Sequence, residues 1–433
     1  MSATVEQIQE ASHRLLEARE RLLPHRTTDQ IIHSLAETAQ RWLDTGNLWR
    51  QQAIEQAPAA TGFSPEMVAE AIDLTFGALT HESLGELVDR ELCTRRVLDE
   101  FCLQGRIHTR AHGPRRLTHF LAGNIPTPGI VSICCGLLLR SANLVKMSSR
   151  DPIFPALFAA SLREVDAELA DCVAVLDWPR SETAVTAAAL SDTNAVIAYG
   201  DDHTISALRR MAPAGVPFLG YGHKVSFAVI TKEAMTAENL PALVEAAAFD
   251  ASVYDQQGCL SPHVIYVEER GEVGPKQFAA ALAQGMAAYQ DRIPHGALTV
   301  EEAAQITTVR TGYEFRSESD RRVAVWASDT PNDWAVIYDD DPAFAPSCLN
   351  RLVFVKPTDG YKRVLNSIQR FAAMISCVGV APMNERAMAF AGDLASLGVH
   401  RICLLGKMQR PPLAWHHEGR PNLADLVRWT DAG

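Results

Sequence analysis

The stretch Asp255-Gln-Gln-Gly-Cys259-Leu-Ser-Pro-His263 has residue types that could do covalent chemistry. A thiol acts as a nucleophile only as the thiolate, which needs solvent access and polar neighbours. Cys259 stands in such a polar turn, and Gly258 beside it lets backbone approach a substrate closely. Cys259 is therefore a candidate nucleophile; the alternative is an inert thiol. Gly123-Asn-Ile-Pro126 ends an apolar run, and the amide of Asn124 could donate to a developing oxyanion or could cap the next helix. Lys146, Ser148 and Ser149 follow another apolar run. They suit a ribose or a phosphate, or equally a surface Lys beside a helix cap.

Other patterns carry less. Gly220-Tyr-Gly222 has no third glycine at the dinucleotide spacing and reads as a turn. His108 and His112 have no nearby Glu to complete a zinc motif, and His416-His417 is no stronger, so no metal is expected. Cys134-Cys135 lies in an apolar helix and reads as packing.

These residues need a scaffold. Residues 1 to about 105 have apolar positions at helical spacing, with Thr28-Asp29 and Ser64-Pro65 as helix starts. From about 117 short strands alternate with helices. The strands are Leu117–Ala122, Asn143–Met147, Cys172–Leu176, Ala195–Tyr199, Pro217–Gly220 and Ser226–Ile230. The helices are Ile130–Arg140, Asp151–Ala170, Ser181–Leu190 and Asp202–Met211. This alternation predicts a parallel α/β sheet with ligands at the carboxyl ends of its strands. A second α/β region begins near 232, with helices at Glu238–Ala248 and Pro275–Tyr289. Its strands are His263–Val267, Val323–Trp326, Trp334–Tyr338 and Leu352–Val355.

Composition sets bounds. The 433 residues are 47% hydrophobic and 21% charged, enough to bury a large core and too apolar for a disordered chain. With 40 Lys and Arg against 52 Asp and Glu the net charge is −12, which argues against nucleic acid and against an anionic membrane surface. The start carries no secretory pattern, and the most apolar stretch, Gly129–Leu139, is too short to span a bilayer. Nine scattered cysteines with no CxxC read as thiols in a reducing, cytoplasmic setting.

Taken in order, these segments resemble the aldehyde dehydrogenase superfamily, and within it the acyl-CoA reductases of the bacterial-luminescence (Lux) type. Gly123-Asn-Ile-Pro126 is similar to the turn that supplies the superfamily's oxyanion donor. Asn143-Leu-Val-Lys-Met-Ser-Ser149 is similar to the strand whose Lys binds the cofactor ribose. Tyr199-Gly-Asp-Asp-His-Thr-Ile205 matches the turn near the pyrophosphate, and Gln257-Gly-Cys259 the nucleophile segment. The separations Asn124–Lys146 (22), Lys146–Cys259 (113) and Asn124–Cys259 (135) are close to superfamily spacing. Gly222–Ile230, Asp255–Pro262 and Trp415-His-His-Glu-Gly419 resemble the acyl-CoA reductase branch in particular.

The resemblance implies an aldehyde-dehydrogenase-like α/β fold. Residues 1–231 would hold the N-terminal helices and a Rossmann-like cofactor domain, 232–405 a catalytic domain carrying Cys259, and 406–433 a tail with a role in oligomerisation. It implies cofactor contacts at Lys146, Ser148, Ser149, Gly200 and Asp201. It also implies reduction of an acyl thioester, on CoA or a carrier protein, to an aldehyde through an acyl-Cys259 intermediate. Asn124 would hold the oxyanion, and His223 and His263 are proton-transfer candidates. Phe218-Leu-Gly-Tyr-Gly-His-Lys224 lacks the acid that activates water in hydrolytic members. Cys348-Leu-Asn-Arg-Leu352 stands where the superfamily has Glu-x-Phe-Gly-Pro, without the Glu that holds the nicotinamide ribose. Asp201 replaces a common Ser. Ser149 stands where NAD-preferring members carry Glu; with Arg150 it would tolerate a 2′-phosphate, so NADPH is expected, with NADH second. A homo-oligomer is implied by the superfamily. The competing readings are an oxidative aldehyde dehydrogenase and a catalytically idle subunit of a reductase complex.

Overall fold

The computed structural model describes residues 2–433. The chain forms two compact units, one holding the residues up to Thr61, 68–223 and 412–433, the other 62–67 and 224–411.

In the first unit, helices Val5–Leu22 and Thr28–Leu43 each start at a capping box, Thr4 with Gln7 and Thr27 with Gln30. Each box pairs two otherwise orphaned N–H groups. The second cap is Thr27, one residue before the expected Thr28-Asp29 start. Trp42 stacks on Phe76 at 4.6 Å and donates to Ser161 Oγ at 2.8 Å, which satisfies its buried N–H.

Residues 102–112 depart from the expected helix at 1–105. They form a hairpin of β1 (Cys102–Gln104) and β2 (Ile107–His112), turned at Gly105 with φ +64°. The antiparallel ladder between β1 and β2 wins over helical spacing here. His108 and His112 lie four residues apart on a strand, roughly 13 Å, too far to share a metal.

A five-stranded parallel sheet follows, in the order β5-β4-β3-β6-β7. Its strands are β3 (Arg116–Phe120), β4 (Ala142–Lys146), β5 (Val173–Leu176), β6 (Ala195–Tyr199) and β7 (Phe218–Tyr221). The helix expected over 151–170 is two helices, Phe154–Val165 and Ala167–Ala170. Asp166 breaks it by capping the second helix and pairing with Arg26 at 2.5 Å.

Within this sheet His119 is fully buried. Its Nδ1 faces Ser132 Oγ and its Nε2 faces Asn143 Oδ1, both at 2.9 Å. Asn143 Oδ1 can only accept, so Nε2 carries the proton and the ring is neutral. Burial pushes its pKa down to about 4, against a partial upward pull from Asn143. In the unfolded chain the imidazole titrates near 6.5. The unfolded state therefore binds more protons between pH 6.5 and 4, and stability falls as pH drops through that window, by about 3 kcal/mol in all. Thermal melts at pH 7 and 4.5 should show a smaller loss for His119→Gln than for the wild type. Parallel losses would remove His119 from the account.

The second unit carries seven strands, in the order β10-β11-β12-β9-β8-β13-β14. They are β8 (Val225–Ile230), β9 (Pro262–Glu268), β10 (Val323–Ala327), β11 (Ala335–Asp339), β12 (Leu352–Thr358), β13 (Ile375–Ala381) and β14 (Arg401–Leu404). Only β10 runs antiparallel to its neighbour. Ser226–Ile230 was expected to close the first series, with a boundary at 231. Instead β8 sits inside the second sheet between β9 and β13, and that unit begins at Lys224. All six β8 residues are buried, which demands a central strand covered on both faces. The expected 406–433 tail also divides: residues to Pro411 stay with the second unit, and Pro412 onward belongs to the first. There β15 (Arg428–Ala432) pairs antiparallel with β2. No described helix is long and apolar enough to cross a membrane.

Candidate active site

Cys259 lies in the short turn between a 3₁₀ segment, Val253–Gln256, and β9 at the middle of the second sheet. It is half-buried. Ser226, fully buried on β8, donates from Oγ to the Cys259 carbonyl at 2.7 Å and accepts from the Cys377 N–H of β13. One hydroxyl thus ties the turn to two strands.

The backbone before the cysteine is unusual. Tyr254, Asp255 and Gln256 have φ of 56°, 49° and 62°. A second run, Leu349, Asn350 and Arg351, has φ of 64°, 55° and 58°. Left-handed backbone costs an L-residue other than glycine about 1–2 kcal/mol, so both runs need support from outside. They support each other. Asp255 pairs with Arg351 at 2.6 Å, with side chains 5% and 0% exposed. Gln257 Nε2 donates to Asn350 Oδ1 at 2.8 Å. Arg351 also donates to Gln290 Oε1 and the Ile293 carbonyl, and Asp255 accepts from the Gly296 N–H. On the far side of the cysteine, Gln409 donates to Ser261 Oγ at 2.7 Å.

His263 is buried on β9, with Nδ1 accepting from the Ser347 N–H at 3.0 Å. A nitrogen that accepts a backbone N–H carries no proton itself. This imidazole therefore anchors the loop that leads into 349–351. His223 is exposed, at the link between the units.

Several other thiols are poorly suited to attack. Burial raises Cys134 and Cys377 well above the ordinary thiol value, Cys135 and Cys172 to about 12, and Cys348 to about 11. Cys403 is lowered by its contact with Cys377, 3.7 Å away, and lies on the edge strand β14.

The remaining predicted residues sit at the carboxyl edge of the five-stranded sheet. Lys146 ends β4; its ammonium donates to the Met147 carbonyl at 2.7 Å and lies 3.8 Å from Asp177 and 5.7 Å from the Trp178 ring. Burial lowers its pKa, partly offset by Asp177. Ser148 turns back against the loop after β3: a Cβ on Gly123 would stand 2.7 Å from Ser148 Oγ, so glycine is required there. This contact brings the Ser148 turn beside Asn124. Asn124 is exposed and does not cap the following helix, Pro128–Leu138, whose cap position is Thr127 at φ +76°. Ser149 and Arg150 are exposed.

Gly200 follows β6, its N–H donating to the Tyr221 carbonyl at 3.1 Å. Asp201 caps the helix Asp202–Met211, accepting from the Thr204 N–H at 2.6 Å. That bond holds its carboxyl below the usual range. The carboxylate occupies one N–H that an anion would use, and its own negative charge opposes a phosphate there, so Asp201 is placed as a cap. The tail returns to this edge, where His417 stacks on Tyr221 at 4.2 Å and Tyr221 on Tyr199 at 4.9 Å. Among the described residues no group of three or more His, Cys, Asp or Glu could hold a metal.

Asp255, Asn350, Arg351, Ser226 and Gln409 were not singled out from sequence. Only Asn350 and Arg351 carried a hint, in the departure of Cys348–Leu352 from its superfamily counterpart.

The profile of the acyl-CoA reductase (LuxC) family matches residues 23–429. The chain belongs to this family. It is an acyl-reductase oxidoreductase with the aldehyde dehydrogenase fold. Among curated proteins it is 28% identical to a long-chain acyl-protein thioester reductase of Vibrio harveyi, over 93% of this chain and 82% of that one. One from Photobacterium leiognathi is 25% identical with the same coverage. Among solved structures, an NAD-dependent aldehyde dehydrogenase from Burkholderia multivorans superposes with TM-score 0.68 at 18% identity, covering 100% of this chain and 84% of that one.

Proposed function

We propose that this LuxC-family protein reduces a long-chain acyl thioester, on CoA or a carrier protein, to the aldehyde, with Cys259 as nucleophile and NADPH as reductant. The observation that carries this reading is the braced turn around a half-buried Cys259, in a chain whose relatives bear the name acyl-protein thioester reductase.

The carboxyl edge of the five-stranded sheet fits a nicotinamide dinucleotide. Lys146 presents a half-buried ammonium for ribose hydroxyls, and Gly200, in the turn after β6, is the residue assigned to the pyrophosphate. Asp201 keeps phosphate off its helix, and exposed Ser149 and Arg150 suit a 2′-phosphate, favouring NADPH over NADH. When bound, the cofactor supplies a hydride.

The chain's own residues do the rest. The Cys259 thiolate attacks the thioester carbonyl, forms the C–S bond and expels the carrier thiolate. The Cys259 N–H stabilises the oxyanion, and the superfamily resemblance gives the Asn124 carboxamide the part of a second donor. After reduction the thiohemiacetal oxyanion on Cys259 collapses, the C–S bond breaks, and aldehyde leaves with the thiolate restored. The expelled carrier thiolate takes up a proton, and with His263 Nδ1 held by the Ser347 N–H, exposed His223 is the better candidate for that transfer.

The test is NADPH and NADH oxidation with a panel of acyl-CoA and acyl-carrier thioesters of different chain length. Thioester-dependent oxidation with stoichiometric aldehyde, faster with NADPH, is expected. No oxidation by folded protein with either carrier would overturn the reading and favour an idle subunit. Faster oxidation of aldehyde to acid would favour the oxidative alternative.

A further inference from the structure

The Cys348–Leu352 segment stands where the superfamily has the motif that holds the nicotinamide ribose, and it lacks the acid for that role. Its polar side chains have other partners. Asn350 accepts from Gln257, two residues before Cys259, and Arg351 pairs with Asp255, four residues before it. Both ends of each link lie at or beside left-handed backbone formed without glycine. An ordinary buried ion pair requires no such conformation. Strain of this kind persists where surrounding contacts over-determine it, and it gathers at sites whose geometry matters to the chemistry.

We infer that Asn350 and Arg351 are positioning residues, which hold the turn before Cys259 so that the thiol and its N–H stand ready for the thioester. This inference rests on Cys259 being the nucleophile. Asn350 fixes the Gln257 amide, and Arg351 fixes the Asp255 carboxylate from a guanidinium itself held by Gln290 and the Ile293 carbonyl. Releasing either link lets the turn relax toward ordinary φ and moves Cys259. Misplacement of a reacting group by about 1 Å can cost about 10²-fold in rate. Cofactor affinity is not involved, so the segment has changed task relative to its superfamily counterpart.

Two variants test this. Asn350→Ala removes one link without leaving a buried charge. The double variant Asp255→Asn/Arg351→Gln removes the ion pair while keeping both sites neutral and polar. The readouts are kcat, KM for NADPH, and the rate at which iodoacetamide alkylates Cys259 relative to exposed Cys93, read by peptide mass spectrometry. Asn350→Ala should lower kcat by about 10- to 100-fold and change Cys259 alkylation several-fold, with KM for NADPH and Cys93 alkylation within about twofold of wild type. The double variant should do the same or more; if it does not fold, Asn350→Ala carries the test alone. Wild-type kcat and alkylation in folded Asn350→Ala would overturn the inference. So would a raised KM for NADPH with unchanged alkylation, which would return the segment to the cofactor. Activity retained by Cys259→Ala would overturn the nucleophile assignment separately, because alkylation reports the geometry of the turn whether or not the thiol is catalytic.

Discussion

Cys259→Ala should abolish thioester-dependent NADPH oxidation, by about 10⁴-fold or more, because removing a nucleophile leaves only the catalysis that binding provides. Stability should change little. The side chain is half-buried, and the bond that its carbonyl accepts from Ser226 does not depend on the thiol. Mass spectrometry of wild type mixed with acyl-CoA and no reductant should find the acyl group on the Cys259 peptide; the variant should carry none. A variant that still turns over, or an acyl label on Cys403, would move the chemistry elsewhere. Cys403 is the serious competitor, since Cys377 lowers its thiol pKa.

Asn124→Ala separates two roles that sequence left open. If its carboxamide donates to the oxyanion, kcat should fall by about 10²–10³-fold with an unchanged thermal midpoint. A helix cap would give the opposite result: about 1 kcal/mol of stability lost and kcat kept. The cap position of the following helix already belongs to Thr127 and Asn124 is exposed, so the catalytic outcome is expected. Steady-state kinetics with a thermal melt on the same sample decide it.

What was legible in the sequence follows a pattern. Cys259, Asn124 and Lys146 each sit where an apolar run meets turn residues, and such junctions are visible in one dimension. The α/β alternation was visible because strands buried on both faces read as continuous apolar runs. The same property misled at β8: an apolar run does not say which sheet it joins, and β8 joins β9 and β13. The β1–β2 hairpin was missed because so short a ribbon leaves too few periods to oppose helical spacing. The braces of the cysteine turn were the least legible. Asp255 and Asn350 are types that visit left-handed backbone singly, but nothing in Tyr254-Asp-Gln256 or Leu349-Asn-Arg351 predicts three such residues in a row. The Asp255–Arg351 pair joins segments far apart in the chain, and no local pattern encodes such a partner.

The pairing of β15 with β2 has a bearing on how the protein is made. His112 waits for Arg428 as its neighbour in the ladder, so the ribbon of β1 and β2 leaves the ribosome long before its third strand exists. A two-stranded ribbon is marginal in water by itself. This one exposes Leu103 and Ile107, 63% and 46% accessible even in the finished fold. Throughout most of synthesis its open edge is a template for any other strand in reach, including the same edge on a neighbouring nascent chain. Crowded polysomes are therefore a setting in which this open edge is exposed to aggregation.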